Sequence, residues 1–211
     1  MKKIIPSLIA KNQKELDKRF DKVKNYFKIF HLDIMDGKFV KNKSLLFDFI
    51  FSNRKFKYET HLMINNPREW IKKNWKKSDL IIFHVESLKN EVEVKEIIKL
   101  IKSKKRKVGI AINPETKVNK IISYLNLVDK ILIMSVNPGR YGSKFLPNVL
   151  NKIKEIKKLN SKLKISIDGG INDKTILKIL KLGIDSFVVG SYLQKSKNIK
   201  KDVLGLKEIL K

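Results

Sequence analysis

Eight short apolar runs punctuate the chain, at residues 3–6, 29–34, 57–63, 80–85, 108–112, 131–134, 164–167 and 186–189. Runs this short, bounded by polar and turn-forming residues, read as buried strands. Between them lie longer stretches in which apolar residues recur at helical spacing, as in 12–26 and 92–102. Helix starts are marked by Pro67 before Arg68-Glu69-Trp70 and by Pro147-Asn148 before 149–159. A polar stretch, 195–201, leads to a closing helix over 202–210. Eight alternating strand and helix units in 211 residues predict an α/β chain with one domain spanning 1–211, a (β/α)8 TIM barrel. The rival, a doubly wound open sheet, is disfavoured because no Gly-x-Gly-x-x-Gly turn follows the first strand.

A barrel of this kind carries its chemistry at the C-terminal ends of its strands. Those ends hold Ser7, then His31 and Asp33, His61 and Met63, His84 and Glu86, Asn113, residues 135–139, Asp168-Gly169-Gly170 and Gly190-Ser191. His31 and Asp33 stand two apart, so on a strand they point to the same face. A buried imidazole beside a buried carboxylate is expensive unless they serve each other or a metal. His31, Asp33, His61 and Asp168 form a candidate metal set whose mix of imidazole and carboxylate suits Zn, Fe(II), Mn or Co. His84 reads as a hydrogen-bonded residue behind that set. Met35, Met63 and Met134 all fall at strand ends, where they serve either as core or as a water-excluding cover. Three glycine-bearing turns are candidates for holding a phosphate through backbone N–H groups: residues 137–142, Gly169-Gly170 and Gly190-Ser191. Loops after the last two strands are the usual phosphate site of such barrels.

The formal net charge is +27, but only five of the 48 basic residues are arginine: Arg19, Arg54, Arg68, Arg106 and Arg140. The lysines spread along the whole chain, and the arginines that favour bidentate base contacts are scarce. No specific nucleic-acid partner is expected, although the positive field would draw in anionic small substrates. There is no cysteine, which excludes disulfide and thiol chemistry. No apolar run is long enough to span a bilayer, and the opening Met-Lys-Lys-Ile-Ile-Pro reads as the first strand rather than a leader. The expectation is a cytoplasmic protein without membrane partners.

The motifs resemble those of the ribulose-phosphate 3-epimerase family over essentially the whole chain. The matching pieces are Ile5-Pro-Ser-Leu8, the run from His31 to Asn42, His61-Leu-Met63, Val108-Gly-Ile-Ala-Ile-Asn-Pro114, Ile133-Met-Ser-Val-Asn-Pro-Gly139, Ile167-Asp-Gly-Gly-Ile171 and Val189-Gly-Ser191. The resemblance implies a (β/α)8 barrel that inverts C3 of D-ribulose 5-phosphate to give D-xylulose 5-phosphate, a step of the pentose phosphate pathway. It implies one divalent metal on His31, Asp33, His61 and Asp168, with Asp33 and Asp168 as the acid/base pair. Substrate contacts are expected from Ser7, Met35, His61, Met63, Met134, Gly139, Arg140, Tyr141, Gly142, Gly169, Gly170, Gly190 and Ser191. A homo-oligomer is expected on the same ground. The chain departs from the family pattern at the loop where Pro-Gly-Phe-Gly-Gly-Gln is usual and Pro138-Gly-Arg-Tyr-Gly-Ser143 stands here, and, as a smaller change, at Lys41, which replaces the usual Pro of Phe-Val-Pro-Asn. An epimerase for another ketose phosphate, such as allulose 6-phosphate, is the alternative. A non-catalytic RNA- or anion-binding protein is the alternative of a different class. Decarboxylases and synthases on similar barrels use Asp-x-Lys-x-x-Asp, whereas His31-Leu-Asp-Ile-Met-Asp36 has no lysine.

Overall fold

The computed structural model describes residues 2–51, 55–139 and 142–211. The apolar runs form strands β1 (Lys3–Leu8), β2 (Ile29–Asp36), β4 (Lys57–Met63), β5 (Leu80–His84), β6 (Lys107–Ile112), β7 (Lys130–Met134), β8 (Lys164–Asp168) and β9 (Ser186–Val189). These eight pair in parallel from β1 through β2 and β4 to β9, and β9 pairs back on β1, closing a single-domain TIM barrel. A two-residue strand, β3 (Lys43–Ser44), runs antiparallel to the end of β2. No apolar run marks it, since two residues carry no periodicity.

Along each strand, side chains alternate between the barrel interior and the surrounding helices. On β2, Phe30, Leu32 and Ile34 join the outer core, which leaves His31, Asp33 and Met35 facing inward. A small inner core of Leu80, Ile82, Ala111, Leu132, Met134, Val136 and Val188 fills the middle of the barrel.

The helices are α1 (Gln13–Val23), α2 (Arg68–Asn74), α3 (Glu91–Ser103), α4 (Leu150–Leu159), α5 (Asp173–Ile179), α6 (Ser191–Gln194) and α7 (Ile199–Ile209). Four start at an asparagine whose side chain accepts a backbone N–H: Asn12 for α1, Asn90 for α3, Asn172 for α5 and Asn198 for α7. Two of the expected helical connections differ. Between β2 and β4 the described residues hold β3 and no helix. Between β6 and β7 the chain forms a 3₁₀ helix, Val118–Tyr124. Its buried residues Val118, Ile121 and Tyr124 recur every third position, the repeat that a 3₁₀ turn stacks on one face.

At the N-terminal end of the barrel an aspartate precedes three of the strands, β5, β7 and β9. Asp79 accepts the N–H of Tyr58 at 2.9 Å, Asp129 that of Val108 at 2.8 Å, and Asp185 that of Ile165 at 3.0 Å. Each aspartate also donates its own N–H to the carbonyl of the same residue, at 2.8 Å in all three cases. These two-way clasps tie β4 to β5, β6 to β7 and β8 to β9. No helix among the described residues is long and apolar enough to cross a membrane.

Candidate active site

The pairing register builds the site. Asp33 on β2 sits opposite His61 on β4, and His31 sits opposite Glu59. Asp168 ends β8 and faces Met134 of β7. His31, Asp33, His61 and Asp168 each offer one ligand atom, and these four atoms lie within 4.8 Å of one another. Nδ1 of His61 is 3.0 Å from Asp33 Oδ1 and 3.7 Å from Asp168 Oδ2. Nε2 of His31 is 3.4 Å from Asp33 Oδ1 and 4.0 Å from Asp168 Oδ2. Ser135 holds the end of β8, its hydroxyl donating to the carbonyls of Asp168 at 2.9 Å and Gly169 at 2.7 Å.

Both cluster histidines are fully buried. Burial opposes a charge on His31, but the carboxylates of Asp33, Glu59 and Asp168 around it outweigh that and raise its pKa to about 10. Burial lowers His61 to about 4, with Asp33 opposing and the neighbouring histidines adding to the shift. Burial works to raise Asp33, yet His31 and His61 against it hold it well below the usual carboxylate range. Asp168 moves the other way, to about 7, through burial and the charge of Asp33. Two carboxylates in one cavity are thus pushed in opposite directions, one held ionised and one near neutrality.

The donor set fits a divalent cation. Neither ring nitrogen of His31 has a hydrogen-bond partner, although the ring has no contact with solvent. A buried polar atom left in this state is costly, and a cation beside Nε2 would satisfy it. Two imidazole nitrogens and two carboxylate oxygens suit a borderline ion such as zinc or iron(II).

Above the cluster opens a cavity lined by Asp33, Asp168, Ser7, the three methionines Met35, Met63 and Met134, and the glycine turns. Gly139, Gly142, Gly169, Gly170, Gly190 and Ser191 all border it. The placement of Gly169 is steric: its φ is +114°, and a Cβ there would stand 2.4 Å from Val136 Cγ2. The first and third turns converge, since a Cβ on Gly142 would lie 4.0 Å from Ser191 Oγ. Arg140 and Tyr141 lie outside the described residues. His61 belongs to the cluster beneath the cavity rather than to its lining.

Sequence reasoning missed two neighbours of the cluster, Glu59 and Lys130, and placed Glu86 at a strand end without giving it a role. Glu59 is buried beneath His31, its Oε2 3.7 Å from His31 Nδ1, and is paired with Lys130. Glu86 meets His84. The spacing Glu59-x-His61 repeats that of His31-x-Asp33 and was the available signal.

The fold and this cluster define a protein of the TIM-barrel class with a buried imidazole and carboxylate cluster at the C-terminal mouth. Solved structures share the barrel and show the fold alone. They include 3-hexulose-6-phosphate synthase from Salmonella typhimurium (TM-score 0.70, 14% identity, 100% of this chain and 98% of that one). A mutant tryptophan synthase α-subunit from Pyrococcus furiosus is a further example (TM-score 0.69, 15% identity, 97% of each chain). Sequence relatives are more specific. Ribulose-phosphate 3-epimerase of Buchnera aphidicola subsp. Baizongia pistaciae is 38% identical over 203 residues, covering 91% of this chain and 88% of the relative. That of Helicobacter pylori strain J99 is 34% identical, covering 98% and 97%. The model of the ribulose-phosphate 3-epimerase family matches residues 3–194, and the chain belongs to that family.

Proposed function

We propose that this chain interconverts D-ribulose 5-phosphate and D-xylulose 5-phosphate, with Asp33 and Asp168 as the two acid/base groups. The observation that carries this reading is the meeting of those carboxylates with two imidazoles in one cavity bordered by three glycine turns. The phosphate is assigned to the turns at Gly142-Ser143, Gly169-Gly170 and Gly190-Ser191, whose backbone N–H groups suit an anion. Ser7 and the three methionines border the sugar, the methionines excluding water from the reacting carbon.

One carboxylate takes the proton from C3, and the electron pair of that C–H bond moves toward the C2 carbonyl oxygen, giving an enediolate. The other carboxylate, protonated at the start, gives its proton to the opposite face of C3. The two groups end with their protonation exchanged, so the reverse reaction starts from the product state. A divalent cation held by His31, Asp33, His61 and Asp168 would supply Lewis-acid stabilisation of the developing negative charge. Asp33 and Asp168 come from β2 and β8, which β1 and β9 separate, and this supports an approach from two sides.

The test is a coupled assay of metal-loaded protein on ribulose 5-phosphate, with solvent-deuterium exchange at C3 followed in Asp33→Asn and Asp168→Asn. Each variant is expected to lose about 10²–10⁴-fold in epimerisation. Residual exchange should favour opposite epimers in the two. Variants that, once reloaded with metal, interconvert the epimers at near wild-type rate would refute the roles. The departure at residues 138–143 favours one second reading, a preference for another ketose phosphate. Allulose 6-phosphate in the same assay decides between them.

A further inference from the structure

His84 was expected only to sit behind the site; its contacts give it a more definite task. Nδ1 of His61 faces the four-residue cluster, while its Nε2 points away and lies 2.8 Å from Nε2 of His84. The ring centroids are 5.0 Å apart with planes inclined by 28°, so the nitrogens meet end to end. On its far side, Nδ1 of His84 is 3.1 Å from Glu86 Oε2. The other oxygen of Glu86 accepts the N–H of Asn113 at 2.8 Å and the hydroxyl of Thr116. Four groups therefore stand in a row, Asp33, His61, His84 and Glu86, with a carboxylate at each end.

The row contains three gaps, and each needs one proton to become a hydrogen bond. Two neutral imidazoles carry one N–H each, so they can fill only two of the three. A cation taken up between Asp33 and His61 removes the mismatch, because it accepts the lone pair of His61 Nδ1 and needs no proton there. The remaining two gaps then close in one way only. Nε2–H of His61 donates to Nε2 of His84, and Nδ1–H of His84 donates to Glu86.

We propose that Glu86, acting through His84, is a positioning pair that holds His61 in its Nε2–H tautomer and so presents a bare Nδ1 to a divalent cation. The proposal rests on the metal reading above. The local fold is built for it. Strand β5 ends at His84, and the 3₁₀ turn Val85–Ser87 brings Glu86 back beneath the ring. Ser87 Oγ donates to the His84 carbonyl at 2.7 Å and fixes that turn. Phe39 packs on the His84 ring, centroid to centroid 4.8 Å.

The chain has three histidines, so protein labelled with ¹⁵N-histidine shows six ring nitrogens. Long-range ¹H–¹⁵N correlations on the zinc-loaded protein should show His61 protonated at Nε2 and His84 at Nδ1. Glu86→Gln keeps the size of the side chain and removes its charge, and His84→Phe removes both nitrogens. Each should weaken zinc binding, read by competition with a chelator, by about 10–100-fold. Melting curves of the metal-free variants check that the barrel is intact. Zinc-loaded wild type with His61 protonated at Nδ1, or with His84 bare at Nδ1, would overturn the proposal alone. So would a folded Glu86→Gln that binds zinc like wild type with unmoved His61 nitrogens. Wild-type protein that takes up no zinc, iron(II), manganese or cobalt overturns the metal reading and this proposal with it.

Discussion

Gly169 shows how narrowly single residues hold the site. It follows Asp168 directly, and the side-chain volume it lacks is occupied by Val136. Gly169→Ala is expected to cost about 1–3 kcal/mol in backbone strain and to shift the Asp168 carboxylate, lowering kcat as well as stability. Gly183→Ala is the control. It also has a positive φ, +81°, but its nearest neighbour is the flexible Lys157 at 3.6 Å, far along the chain from the cluster. Urea melts and steady-state kinetics should show both variants destabilised and only Gly169→Ala slowed. The four cluster residues were legible because strand ends and period-two spacing aim them at one point. Glu59 shared that spacing but sits lower on its strand, where no terminus drew attention to it. Glu86 was harder to read, since it follows the strand in a 3₁₀ turn and alternation says nothing about where it points.

Secondary-structure elements were legible wherever periodicity was long enough to count. The eight barrel strands lie where the apolar runs placed them, and helices α1, α3, α4 and α7 match within a few residues. The 3₁₀ segment Val118–Tyr124 defeated the reading because its three-residue repeat lies close to the helical one. The aspartate clasps were invisible, since they depend on which strand lies beside which. Asp129→Ala leaves the N–H of the buried Val108 without its side-chain acceptor, and a loss of about 1 kcal/mol is expected in a urea melt. Asp185 adds a pH signature. Burial works to raise its pKa, but the N–H of Ile165 and the ammonium groups of Lys164 and Lys157 outweigh it and hold it below the unfolded value. Its stabilisation is therefore complete above the unfolded carboxylate pKa of about 3.9 and disappears as pH falls through the folded one. Wild type and Asp185→Asn should differ in melting temperature at neutral pH and converge in acid.

At the scale of the whole molecule, an ion held by the four candidate ligands would couple its uptake to folding, because they come from three strands, β2, β4 and β8. An ion that binds only the closed barrel stabilises it by mass action, by about 2.7 kcal/mol at one hundred times its dissociation constant. Thermal melts with added zinc should rise accordingly, and the rise should vanish in His31→Ala. The clasps have a different consequence. They join six of the eight strands into three two-stranded staves hooped at the foot, and leave β1, β2 and the seams between staves without such a hoop. A cut after residue 104, in the turn ahead of β6, separates the molecule into two half-rings and leaves every clasp whole. A cut after residue 126 splits the pair β6 and β7 and places Val108 and Asp129 on different pieces. Co-expressed halves from the first cut should reassemble into a barrel more readily than those from the second, as judged by co-purification and recovered epimerase activity. Equal recovery from both cuts would show that the staves are not units of assembly.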